Sequence, residues 1–154
     1  MATFVSNPIT VTLTAPDESY RRADLEFHGV DHSKASFEGR LFINNPGAGP
    51  ETPTDHESYV GSFWVFGHGG CAGGEGHCEP PAERRPFDFR AEHQLTRVSK
   101  WVMVTEKLRS LVGQGQSFSV RIVPYVRPEN AGPLPASLVT DLLQFDQVAL
   151  LTYQ

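Results

Sequence analysis

No run of apolar residues in this chain approaches the about 20 that carry a helix across a bilayer, so the sequence points to no membrane partner. Basic charge is in deficit. Thirteen Lys and Arg stand against 18 Asp and Glu, a net charge of −5 with the histidines neutral. That balance favours solubility and argues against nucleic acid, whose backbone asks for a basic face. Cysteine is scarce, two in 154 residues, and a chain of this length can bury a core without covalent staples. The compact reaction signatures are missing too: there is no G-x-S-x-G, no P-loop lysine, no H-E-x-x-H and no paired-carboxylate pattern, so the reading leans away from an enzyme. The N-terminus, MATFVSNPITVTL, has no basic segment leading into a continuous apolar one. A cytoplasmic location is therefore expected, with secretion requiring a signal already removed.

Gly and Pro are plentiful, 14 and 12, and they punctuate the chain into short segments. Most of these alternate apolar and polar residues with a period of two, the mark of a half-buried strand. Ile9 to Thr14 is the first. Arg22 to Val30 turns Ala23, Leu25 and Phe27 one way and Asp24, Glu26 and His28 the other. Ser36 to Asn44 sets Phe37, Gly39, Leu41 and Ile43 against Glu38, Arg40 and Phe42. Tyr59 to Phe66, Arg97 to Thr105, Ser117 to Val126 and Phe145 to Tyr153 complete the set. Pro124 cannot donate to a ladder, which places its strand at an edge or bulged near its end. Thr105 is expected to N-cap a short helix over Glu106 to Val112, closed by Gly113; Ala136 to Leu143 is expected to form a helical turn.

Strands without alternating helices cannot build a parallel sheet. The expected fold is all-β: an antiparallel β-sandwich, jelly-roll-like, with one short helix. It fills a single domain over 1–154, with long loops at 45–57, 67–93 and 127–137. The expected core comprises Leu25, Phe27, Leu41, Ile43, Phe63, Val65, Val102, Val120, Ile122, Val148 and Leu150. Trp64 and Trp101, which lie within strand patterns, are expected to be core residues rather than ligand platforms.

One stretch differs from all the others. After the aromatic strand Tyr59 to Phe66, the twelve residues from Gly67 to Cys78 include six Gly, both cysteines and two of the six histidines. His68, Cys71, His77 and Cys78 are spaced H-x2-C-x5-H-C. Imidazole and thiolate suit zinc or copper(I), and Gly lets the backbone bring ligands together. A Cys71–Cys78 disulfide comes first among the readings, stabilising by about 2–3 kcal/mol through loop closure. A metal site is second, and neighbouring His77 and Cys78 point opposite ways in extended chain, so one of them would drop out. His28 and His32, in FHGVDH, flank a turn and could approach each other across it; His28 could also meet His68 if their strands are neighbours. No cofactor is certain, and copper or zinc is the candidate.

The order of segments carries a resemblance. Arg40-Leu41-Phe42-Ile43-Asn44, then Gly61-Ser62-Phe63 with His68 a few residues on, then Thr105-Glu106-Lys107-Leu108-Arg109, then Arg121-Ile122-Val123-Pro124 and a closing strand ending Leu151-Thr152-Tyr153 resemble the C-terminal domain of polyphenol oxidases and tyrosinase-like copper proteins, bacterial versions in particular. That resemblance implies a β-sandwich that packs over a helical copper domain and shields its active site. It implies no phenol oxidation here, because the family's two-copper centre needs six histidines on four helices, whereas His28, His32, His56, His68, His77 and His93 fall on strands and loops. The first functional expectation is a non-catalytic capping module for a tyrosinase-like copper oxidase, whether stand-alone or cut from a longer oxidase. The alternative is a small Cys/His protein that binds copper or zinc, with a carrier or catalytic role.

Overall fold

The computed structural model describes residues 7–69, 86–87, 95–127 and 135–154. Within them the strands are β1 (Ile9–Thr14), β2 (Arg22–Val30), β3 (Phe37–Ile43), β4 (Tyr59–Val65), β5 (Val98–Met103), β6 (Ser117–Tyr125) and β7 (Gln147–Tyr153), with one α-helix, α1 (Thr105–Leu111), between β5 and β6. A 3-10 turn at Ala136–Leu138 precedes β7 and is shorter than the helical turn expected there. Two antiparallel sheets result, ordered β1-β6-β3-β4 and β5-β2-β7. They pack face to face as a β-sandwich, because each strand carries apolar side chains on alternate positions and only a second sheet can cover them. Among the described residues no helix is long and apolar enough to cross a membrane.

The aromatic centre of the sandwich joins the two sheets. Phe27 of β2 lies 4.7 Å, centroid to centroid, from Phe63 of β4, which in turn meets Phe37 of β3 edge-on at 6.4 Å. Phe63 fits because its neighbour across the ladder is Gly39; a Cβ there would sit 2.5 Å from the Phe63 ring. Leu25, Leu41, Val120 and Ile122 are fully buried around this cluster. Of the expected core, Val148 and Leu150 on β7 are only partly buried, as befits an edge strand.

Four local expectations need correction. Trp64 and Trp101 are not core: they are 48% and 64% exposed, standing on the outward positions of β4 and β5 while their neighbours Val65 and Val102 point inward. Phe42, on the face opposite the main core, is itself fully buried, because the 45–57 segment folds back and lays Ala48 over Phe42 and Val123 with Tyr59 alongside. Arg121 fastens that segment by donating from Nε to the Ala48 carbonyl at 2.6 Å. Thr105 does not cap its helix. The helix begins at Thr105 itself, and the hydroxyl instead accepts the Ala23 amide at 2.9 Å, tying α1 to β2. Lastly, β6 is an inner strand, paired to β1 as far as Ile122 and to β3 as far as Tyr125; Pro124 lies past the end of β1, where the ladder on that side has stopped.

Candidate functional site

Two connections meet at one end of the β3–β4 hairpin. The first, between β2 and β3, is a turn held by Asp31, whose carboxylate accepts the Ser33 amide at 3.0 Å and the Ser33 hydroxyl at 3.1 Å. This is the side-chain-to-backbone bonding that makes Asp a turn former. Burial pushes the Asp31 carboxyl up, but the two Ser33 bonds and nearby Arg97 and Lys34 outweigh it and hold it below its usual range. The Asp31 amide donates to the Gln144 carbonyl at 2.9 Å and Lys34 Nζ donates to the Thr140 carbonyl at 2.7 Å, so the turn is anchored to the approach to β7. Its second residue is His32.

The other connection is the exit of β4. Gly67 donates its amide to the Ser36 hydroxyl at 3.0 Å, His68 to the His32 carbonyl at 2.8 Å and Gly69 to the Lys34 carbonyl at 2.8 Å. The approach is so close that a Cβ at position 67 would lie 2.1 Å from the Lys34 carbonyl oxygen. The sequence Gly-His-Gly is thus a steric requirement: any larger residue in the first position pushes the two connections apart, and the histidine between the glycines is laid against His32.

The two imidazoles face each other through their Nδ1 atoms at 3.1 Å, with ring centroids 4.8 Å apart and planes nearly perpendicular at 84°. His32 Nε2 lies 2.6 Å from the Thr96 carbonyl, just before β5. A carbonyl oxygen only accepts, so Nε2 carries the proton. Neutral His32 therefore turns an Nδ1 lone pair toward His68, and two nitrogens so placed can share a proton or a cation.

Beside this pair, on the outer face of the four-stranded sheet, runs a groove of about 500 Å³. Trp64, Phe66, Tyr125 and Arg127 line it, and Gly67 and Gly69 form the wall it has in common with the histidines. Phe66 is 78% exposed and packs edge-on to the His68 ring at 5.7 Å. The Arg127 guanidinium lies over the Trp64 ring at 4.8 Å and that of Arg40 over Tyr125 at 3.6 Å, both within cation–π range. Beneath them Glu38, 6% exposed, accepts from Arg40 Nε at 3.1 Å. At the far end of the same face the 45–57 segment covers Phe42 and Val123, a cover that has no counterpart over Trp64 and Phe66 among the described residues.

The site residues named from sequence separate into three groups. His32 and His68 are brought together. His28 is not drawn into their cluster: its Nε2 pairs with Glu26 at 2.9 Å and its Nδ1 lies 3.5 Å from the Ser99 hydroxyl, on the face of β2 away from the sandwich core. Among the described residues, the irregular register between Phe27 and Val30 and the turn after it carry His32, and not His28, to the hairpin end beside His68. Cys71, His77 and Cys78, with the disulfide or metal tie expected of them, lie outside the described residues. Among the described residues no group of three or more His, Cys, Asp or Glu side chains is placed to hold a metal. The role of Thr96 was not foreseen from sequence, since a main-chain carbonyl leaves no mark in it. No protein-family model and no curated protein matches the chain.

Proposed function

We propose that this domain is a non-catalytic docking module that seats on a tyrosinase-like copper oxidase domain and shields it. The observation that carries the reading is the pair Trp64 and Phe66, 48% and 78% exposed, on the rim of a groove that also presents Tyr125 and Arg127, the latter stacked on Trp64. Aromatic side chains and Arg are the residues that dominate protein–protein binding energies, and a ring already held against a guanidinium loses little freedom on docking. Three of the segments that carry the resemblance to the tyrosinase C-terminal domain fall on adjacent strands of the one sheet whose outer face bears the groove: Arg40 to Ile43 on β3, with Asn44 just past its end, Gly61 to Phe63 on β4 and Arg121 to Pro124 on β6.

Mixing the protein with a recombinant tyrosinase-like copper domain tests this. A one-to-one complex with suppressed phenol oxidation is expected. Replacing Trp64 and Phe66 together by Ala should weaken the complex by about 30-fold or more, the equivalent of one hot-spot residue. The domain by itself, supplied with copper and a catechol, should turn over no faster than copper in buffer. Suppression that is absent, or that survives in the double variant unchanged, would sink the reading.

A further inference from the structure

We propose that His32 and His68 are two protein ligands of a divalent transition-metal ion, zinc or copper(II), held between their Nδ1 atoms. This inference stands on the histidine geometry alone and does not depend on the docking reading. Two nitrogen ligands at about 2.05 Å from one tetrahedral ion lie about 3.3 Å apart. The observed separation is 3.1 Å, so an ion enters with a shift of the rings by a few tenths of an ångström. The hydrogen bond from His32 Nε2 to the Thr96 carbonyl fixes the tautomer that metal binding needs, with the lone pair on the nitrogen that faces His68. A metal-bound histidine almost always donates its other ring N–H to a carbonyl or carboxylate in this manner, which orients the ring and raises its basicity.

Both ligands are also positioned before any ion arrives. His32 sits in a turn stapled by Asp31 and Ser33, and His68 hangs on a backbone hydrogen bond to the His32 carbonyl itself. The two main chains are thus tied at the same residues that would bind, and little ordering is left for the ion to impose. Imidazole pairs suit zinc and copper, whereas magnesium and calcium prefer oxygen, so the candidate ions are the borderline first-row metals. Gly67 and Gly69, which flank His68, and Phe66, which packs on its ring, line the Trp64 groove, so the ion would lie close to whatever occupies that groove.

The test is a calorimetric titration of chelator-treated, dialysed protein with zinc chloride, repeated with copper(II) chloride. One equivalent is expected to bind. His32→Gln and His68→Gln should each lower the affinity by more than about 100-fold, beyond the about 10- to 100-fold typical of losing only a group that orients a ligand. His56→Gln, whose imidazole is bonded to Ser58 at 2.7 Å, should leave it unchanged. In case either substitution disturbs folding, imidazole 15N spectra of the unaltered protein give a second readout: one equivalent of zinc should move the Nδ1 resonances of two histidines, with Nε2 of His32 still protonated. Zinc at saturation that leaves both Nδ1 resonances in place overturns the assignment. So does a titration in which Cys71→Ser/Cys78→Ser abolishes binding while both histidine variants bind as the unaltered protein does.

Discussion

Phe27→Ala is expected to remove about 3–5 kcal/mol of folding stability, the range for truncating a buried phenylalanine to alanine. The side chain is fully buried and lies in the middle strand of the three-stranded sheet, with β5 on one side and β7 on the other. Its ring meets Phe63 of the opposite sheet at 4.7 Å and the edge of Phe145 at 5.7 Å, so its loss cancels two aromatic contacts as well as its own burial. Such contacts add about 0.5–1.5 kcal/mol each beyond the area they cover. Both neighbours are held in place, Phe63 over Gly39 and Phe145 by the adjacent Asp146 amide, which donates to the His28 carbonyl at 2.9 Å. Against a total of about 5–15 kcal/mol for a domain, this is a large fraction. Urea denaturation of the variant measures it directly, and a loss below about 1 kcal/mol would mean that the two sheets do not close on this residue.

A methyl group added at Gly67 is expected to open the histidine pair. Its nearest neighbours would be the Lys34 oxygen at 2.1 Å, the Ala35 carbonyl carbon at 2.3 Å and the Ser36 nitrogen at 2.5 Å, all main chain and none able to swing aside. Gly67→Ala must therefore push the β4 exit off the 34–36 segment, at a cost of about 1–3 kcal/mol by analogy with overpacked cores. The bonds from His68 to the His32 carbonyl and from Gly69 to the Lys34 carbonyl lengthen or break. Hydrogen exchange at the His68 and Gly69 amides should accelerate at least about tenfold, equivalent to 1.4 kcal/mol of local protection. Gly49→Ala is the control, since a Cβ there meets nothing within 4 Å, and it should fall within about 0.5 kcal/mol of the unaltered protein. Unchanged exchange at His68 in Gly67→Ala would show that the glycine is not what holds the two connections together.

The alternation of apolar residues made the strands legible, since a period of two is a property of each segment alone. Ala23, Leu25 and Phe27 could be placed inside without knowing what lay opposite. Phe42 could not. It stands on the face that its own strand marks as polar, and it is buried only because Ala48 returns over it from the next loop. Trp101 shows the converse: it alternates correctly with inward Val102, and treating its ring as core overrode the pattern that already set it outward. For the candidate site, the Gly-His-Gly run carried a visible signal in the two glycines beside His68. The choice of His32 over His28 as its neighbour did not. It rests on a register irregularity and a turn, and on a hydrogen bond to a main-chain carbonyl 64 residues away in the chain.

The strand order also dictates a timetable. Ile9 of β1 pairs with Ile122 of β6 and Arg22 of β2 with Tyr153 of β7, each ladder joining residues more than a hundred positions apart. Closing loops of that size must precede the contacts that reward it, so refolding belongs in the range of milliseconds to seconds rather than microseconds. On a ribosome, the β3–β4 hairpin can zip as soon as it emerges, whereas β2 waits for β7 to be made at about 5–20 residues per second. Throughout that wait the apolar face of β2, with Leu25 and Phe27, has one side of its sheet still missing. Stopped-flow refolding with a dominant phase faster than about 100 µs would contradict the schedule. A chain wired this way makes its aromatic centre early and completes its second sheet late, so the interval before β7 docks, with an edge of β2 unpaired, is when it most needs protection from its own kind.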